Sequence, residues 1–334
     1  MRKLFGLAVV AAVVFVTGCS AQEATDVSPP AEVETQAESS AEPCDPSVAH
    51  PKGAFEFAPK LDGSLPAEWR EEFPLILATL QEIAPISPCI HELTEDPAKS
   101  PMKIYAWSSD VDNPWEDERP GMSGASISGD GTDTWMVLEI TAEEFEFDEL
   151  HRYSVVAHEY WHVYQRAAWT AQGIEYPDWM WEGGAKVFEE LYISEHYGRS
   201  QFDHDLFPVI STALANPSDF ELYAGDGGEV GGDFDINYNT SAFMVLALAK
   251  ELQTTRGLTE EQAFALALNP PAKPDSETAF LDVFGISLDA FYTSLAQYPA
   301  VESGEDWFEG TVVKASVVMP SKDLTLTAIL QPTG

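Results

Sequence analysis

Basic residues are scarce in this chain. Lys and Arg total 17 against 56 Asp and Glu, a formal net charge of -39. A long-range field of that sign repels nucleic acid and anionic lipid surfaces, so neither is expected as a partner. Acidity of this kind speaks to solubility and encounter, not to fold or reaction. Cysteine is scarce too, with three in 334 residues and no CxxC pair. Neither a dithiol redox motif nor a cysteine zinc site is therefore indicated. A Gly-rich phosphate loop, a nucleophile elbow, a basic patch interleaved with aromatics and an internal repeat are all missing. Their absence argues against nucleotide hydrolysis, serine esterase chemistry, nucleic-acid binding and solenoid folds. What is present is a 45% hydrophobic chain, ample for a buried core.

The N-terminus reads as an address. Arg2 and Lys3 precede the apolar run Leu4–Val16, which is too short for a lasting transmembrane helix and fits a secretory signal over residues 1–18. The run Val16-Thr17-Gly18-Cys19 resembles a bacterial lipobox. That resemblance implies cleavage before Cys19, a lipid on its sulfur, and an extracytoplasmic, membrane-anchored place in the bacterial cell envelope. The alternative is an ordinary signal peptide with an incidental cysteine. Residues 19–43 are rich in Ala, Glu, Ser, Pro and Thr and nearly devoid of large apolar side chains, the composition of a flexible acidic linker. An exported chain sits where disulfides persist, so Cys44 and Cys89 are expected to pair; two free thiols are the alternative.

Residues 44–305 read as one globular domain, and 306–334 as a terminal hairpin, from alternating Val and Thr around Pro320-Ser321-Lys322-Asp323. Helical periodicity is expected at 67–84, with Pro74 a possible kink, then at 149–168, 183–197, 202–214, 238–254, 259–267, 276–283 and 287–297. Strands are expected at 102–107 and 135–140, with a loop over 108–134. A small N-terminal sheet followed by a mainly helical part makes the class α+β.

The chemistry concentrates in Tyr153-Ser-Val-Val-Ala-His158-Glu159-Tyr-Trp-His162-Val-Tyr-Gln165. A four-residue step advances a helix by slightly more than one turn, about 400°. His158 and His162 therefore point the same way and can hold one zinc ion (Zn2+) through ring nitrogens at about 2.0–2.1 Å. Glu159 can sit beside the metal without binding it and take a proton from the activated water. A catalytic zinc needs a third ligand and one open position. Nineteen residues separate His162 from Glu182, which opens a second predicted helix and completes a His2Glu set. Glu189 lies on the same helical face as Glu182 and can orient a ligand histidine. The competing reading makes Glu182 an acid favoured by a helix N-terminus.

His158-Glu159-x-x-His162 followed by Trp181-Glu182-Gly183-x-Ala185 and Glu189 resembles the gluzincin metallopeptidases. The group includes aminopeptidase N-like, thermolysin-like and small peptidase MA-like enzymes. The likeness covers about 150–297 and is strongest over 153–190. It implies a zincin-like fold, a zinc cofactor, and hydrolysis of a peptide or protein substrate with Glu159 as general base. In aminopeptidase N-like members a tyrosine at the start of a later helix steadies the oxyanion, and Tyr238-Asn-Thr-Ser241-Ala-Phe243 matches that pattern. The strand 135–140, preceding the zinc helix, corresponds to an edge strand that binds extended peptide. Departures are the one-residue-longer gap before Glu182, Lys186 where thermolysin-like members carry an acid, and no Gly-x-Met-Glu-Asn strand, of which Gly121-Met122-Ser123-Gly124 is a faint echo. Endo- and exopeptidase action both stay open.

Other residues carry less. His151 reads as a helix-start residue. Asp233-Phe-Asp235-Ile-Asn237 mimics half of a calcium loop, but Tyr238 replaces its glycine and Met244 its bidentate acid. Looser calcium sites at Asp226–Asn237 or Asp130–Asp133 are secondary to a reading as solvated loops. The expectation is a monomeric, membrane-anchored zinc metallopeptidase. The rival from another class is a noncatalytic zinc-binding surface lipoprotein that keeps the fold for binding or scaffolding.

Overall fold

A computed structural model describes residues 55–86, 101–130, 133–169, 176–200, 202, 208–221, 234–271, 276–302 and 311–331. Cys19, Cys44, Cys89 and the segments 1–18 and 19–43 lie outside the described residues. The chain forms β1 (Phe57–Leu61), α1 (Ala67–Ile83), β2 (Met102–Ser108), β3 (Ala125–Gly129) and β4 (Thr134–Ile140). There follow α2 (Ala142–Glu146), α3 (His151–Trp169), α4 (Asp178–Tyr197), β5 (Pro208–Ile210) and α5 (Ser211–Ala215). The remainder is α6 (Phe234–Arg256), α7 (Glu260–Leu268), α8 (Ser276–Phe284), α9 (Leu288–Ser294), β6 (Ala300–Glu302), β7 (Thr311–Lys314) and α10 (Leu326–Leu330). The class is α+β, a small N-terminal sheet followed by mostly helices.

The sheet runs β1-β2-β4-β3, with β1, β2 and β4 parallel and β3 antiparallel to β4. Strands β2 and β4 are buried on both faces, which is why they read as continuous apolar runs. Alternation still sorts their side chains. Ile104, Ala106, Met136, Leu138 and Ile140 join the main core with the helices. Tyr105, Trp107, Trp135 and Val137 face the other way and form a second cluster with Met122 and Trp115. The loop between β2 and β3 covers that outer face. Trp115 meets Tyr105 edge-on at 5.3 Å, and the Arg119 guanidinium lies 3.9 Å over the Trp135 ring.

The expected edge strand at 135–140 is corrected. β4 is interior, and the edge is β3, inside the stretch predicted as loop. Ala-Ser-Ile-Ser-Gly offers a single large apolar residue, so it carries almost no strand pattern. The expected terminal hairpin at 306–334 is also corrected. β7 pairs antiparallel with β5 on one side and β6 on the other, and the segment beyond Pro320 ends in a helix. Leu324-Thr-Leu-Thr reads with period two, but the Thr325 hydroxyl accepts from the Ala328 N–H at 3.1 Å and caps α10. Leu326 and Ile329, three apart, then enter the main core.

Helix α1 runs unbroken through Pro74, whose ring faces solvent, while Trp69, Phe73, Ile76, Leu77, Leu80 and Ile83 bury one face. Within the predicted helix at 202–214, residues 203–207 lie outside the described residues, 208–210 are strand β5, and the helix α5 begins at Ser211.

Candidate metal centre

Three helices build the site, and each is placed by its apolar face. α3 buries Val155, Val156, Tyr160, Trp161 and Val163 on either side of its histidines. Tyr160 donates its hydroxyl hydrogen to the Ala84 carbonyl at the end of α1, 2.6 Å away. α4 starts at Asp178, four residues before Glu182, so that residue sits in the second turn and not at the helix opening. The reading of Glu182 as an N-terminal helix acid therefore gives way to one in which its carboxylate points into the interior.

Gly183 explains how α4 and α6 come so close. A Cβ on it would lie 2.3 Å from the Ser241 carbonyl oxygen and 2.9 Å from the Ala242 nitrogen. Only glycine permits that backbone approach. It brings the start of α6, with Tyr238, against the metal-ligand face.

The Nε2 atoms of His158 and His162 stand 3.1 Å apart, and the Glu182 Oε2 is 3.5 Å from the first and 3.3 Å from the second. Donors at about 2.0–2.1 Å from a tetrahedral zinc are separated from one another by about 3.3–3.4 Å. The three observed edges match that triangle. His158, His162 and Glu182 thus form a group that can hold a metal ion. The donor chemistry agrees, since both imidazoles are spoken for on the far side. The His158 Nδ1 lies 3.1 Å from the Glu189 Oε2, and the His162 Nδ1 lies 2.9 Å from the Gln165 Oε1. Each Nδ1 therefore donates its hydrogen outward, which turns both Nε2 atoms toward the common point, where a metal ion would take the place of any proton on them. The Glu182 Oε2 and the Glu159 Oε2 are buried, and neither has a hydrogen-bond partner among the described residues. Orphaned buried carboxylate oxygens beside two converging imidazoles fit a cation and a water.

Electrostatics follow from this crowding. Burial alone would lower the His158 pKa, but the Glu182 and Glu189 carboxylates push it up to about 10. Burial would raise Glu182, and the two imidazoles outweigh it, holding its carboxyl well below the ordinary range. Burial would likewise raise Glu189, and Lys186 and His158 hold it down. Glu159 is pushed up by burial, partly offset by His162 and His158. Tyr238 stands with its ring centroid 5.9 Å from that of His158. Burial, together with Glu182 and Glu159, pushes its phenol well above the ordinary value, so it keeps its proton and can donate.

The sequence reading named His158, Glu159, His162, Glu182, Glu189 and Tyr238, and the fold brings all six together. It gave no role at the site to three neighbours. Gln165 is fully buried, accepts from His162 and donates to the Trp181 carbonyl at 2.9 Å. Trp181 stacks on the His162 ring at 5.2 Å and 11°. Lys186 pairs with Glu189 and Glu190. For Gln165 the spacing was a usable signal, because three residues after a ligand histidine lies on the same helical face. His151 is outside the ligand group and faces Glu144 at 3.1 Å. Asp130 and Asp133 grip Arg119 at 2.9 and 2.6 Å, which gives that acidic run a guanidinium partner in place of calcium. Asp226–Asp233 lies outside the described residues. No protein-family model matches the chain, and no curated protein matches it in sequence.

Proposed function

We propose that this chain is a zinc-dependent peptidase of the gluzincin type with a zincin-like fold. The observation that carries the reading is the His158–His162–Glu182 triangle, with edges of 3.1, 3.3 and 3.5 Å, and the buried Glu159 Oε2, which has no hydrogen-bond partner among the described residues. His158, His162 and Glu182 would hold a zinc ion, which would supply a Lewis acid for the scissile carbonyl and a bound water of pKa lowered toward about 7. The Glu159 carboxylate takes the proton of that water and passes it to the leaving amine nitrogen. Burial raises the proton affinity of Glu159, which suits a group that must both accept and release. The Tyr238 hydroxyl donates to the developing oxyanion. Among the described residues β3 is an edge of the sheet, and an extended peptide can add at such an edge as a further strand.

The N-terminal apolar run and Cys19 support export and lipid anchoring in a bacterial cell envelope. Fractionation of cells expressing the wild type and Cys19→Ser tests this: the wild type should stay with membranes and the variant should be released.

The deciding experiment incubates full-length protein and Glu159→Gln with a mixed peptide library and measures zinc in both. Equal zinc with cleavage by the wild type alone is the expected result. The cut sites then separate endo- from exopeptidase action. Equal zinc without cleavage in either would move the reading to a noncatalytic zinc-binding lipoprotein.

A further inference from the structure

Resting on the metal-centre reading above, we infer that Lys186 is a positioning residue for the centre, acting on His158 through Glu189. Lys186 lies one helical turn beyond Glu182 on α4, and its side chain is only 12% exposed. Its Nζ contacts the Glu189 Oε1 and stands 3.2 Å from the Glu190 Oε1. The second oxygen of Glu189 accepts from His158, and the second oxygen of Glu190 accepts from the Ser200 hydroxyl at 3.0 Å. The result is one continuous chain of contacts, Ser200, Glu190, Lys186, Glu189, His158, of which the two glutamates and the histidine are buried.

The geometry assigns Lys186 its task. A carboxylate held at one oxygen can turn about its terminal torsion, which is broad and soft. Glu189 is held at both oxygens, by an imidazole on one side and an ammonium on the other. Its Oε2 is thereby fixed in line with the His158 Nδ1–H, and that hydrogen bond sets the ring's tautomer and aim. Charge works in the same direction. Glu159, Glu182, Glu189 and Glu190 are four carboxylates carried by α3 and α4, and an ammonium pairing with Glu189 and Glu190 limits the cost of burying Glu189 as an anion. The chain thus has a cation where the thermolysin-like pattern has an acid, and the acid that faces His158 sits three residues later.

The test uses the full chain and zinc alone as probe, with affinity read by competition against a chromophoric chelator. Lys186→Met should weaken zinc binding by about 10–100-fold, the usual effect of losing an outer partner of a ligand histidine. Lys186→Arg, which restores the cation, should stay within about threefold of wild type. In a Glu189→Gln background Lys186→Met should change affinity by less than about twofold, because the lysine then has no carboxylate to act through. A loss of equal size in both backgrounds, or no loss in either, would overturn the proposal. If Lys186→Met does not fold, Lys186→Met with Glu190→Gln removes one cation and one anion together, and the same comparison is made on it. A wild type that takes up no zinc would instead overturn the metal-centre reading on which the proposal stands.

Discussion

The Gln165 amide bridges two helices at the candidate metal centre: its oxygen accepts from the His162 Nδ1 at 2.9 Å and its nitrogen donates to the Trp181 carbonyl at 2.9 Å. One neutral side chain thus aims a ligand imidazole on α3 and ties it to the backbone that precedes Glu182 on α4. Replacing it by leucine keeps the volume and removes both bonds. Gln165→Leu is expected to bind zinc about 10–100-fold more weakly. The buried groups it leaves unpaired should cost a further 1–3 kcal/mol or so of stability. Chelator competition and thermal unfolding measure the two effects. Wild-type zinc affinity in this variant would remove the orienting role.

Gly183 sets the distance between α4 and α6. The Cβ of Gly183→Ala meets backbone atoms of Ser241 and Ala242, which cannot swing away as a side chain can. At Gly184 the nearest atom is the Gln165 Nε2 at 3.1 Å, a side-chain neighbour that can give by a few tenths of an ångström. Gly183→Ala should therefore cost about 3 kcal/mol or more, the upper end for overpacking, and Gly184→Ala clearly less. Melting temperatures of the two variants check the order. A Gly183→Ala protein as stable as wild type would show that the two helices need no such contact.

That the candidate ligands would share one place was legible because helical periodicity is stiff. His158 and His162 four apart, and Glu182 and Glu189 seven apart, share faces whatever the rest of the chain does. The strands β2 and β4 were legible from apolar runs long enough to rule out a loop. β3 was not, since its place at the sheet edge comes from backbone pairing with β4 and not from its own side chains. α10 was misread because period-two Leu and Thr also suit a capped helical turn when the threonine accepts from the backbone. The roles of Lys186 and Gln165 were missed for another reason. Each acts on a ligand through a neighbour, and that relation appears only when α3 and α4 are laid side by side.

Proton competition at His158 has a definite sign. Its pKa is raised from 6.5 to about 10, so the folded metal-free protein keeps a proton there that the unfolded chain gives up. The stability this contributes is fully present below about 6.5 and is lost as pH rises through about 10. Zinc must displace that same proton. Between these limits zinc uptake should release about one proton, and apparent affinity should climb about tenfold per pH unit. Calorimetric titration with zinc in two buffers of different ionisation heat counts the proton directly. Zero release at pH 8 would mean that His158 is already neutral there and that Glu182 and Glu189 do not hold its charge.

Tyr238 separates chemistry from metal binding. It is carried by α6, not by the ligand helices, and meets His158 ring to ring at 5.9 Å without belonging to the ligand group. Tyr238→Phe keeps the ring and its packing and removes only the hydroxyl. On the proposed reaction the variant should hold zinc as wild type does and lose about 10²–10³ in kcat, the effect of removing one oxyanion donor. The wild-type phenol stays protonated well above its ordinary value, so ionisation of Tyr238 should not shape the alkaline side of the rate profile near pH 9. Steady-state rates on a peptide found by the library screen, with zinc content measured alongside, give both numbers. A variant that loses zinc as well as rate would make Tyr238 a structural neighbour of His158, and one with full turnover would assign the oxyanion to another donor.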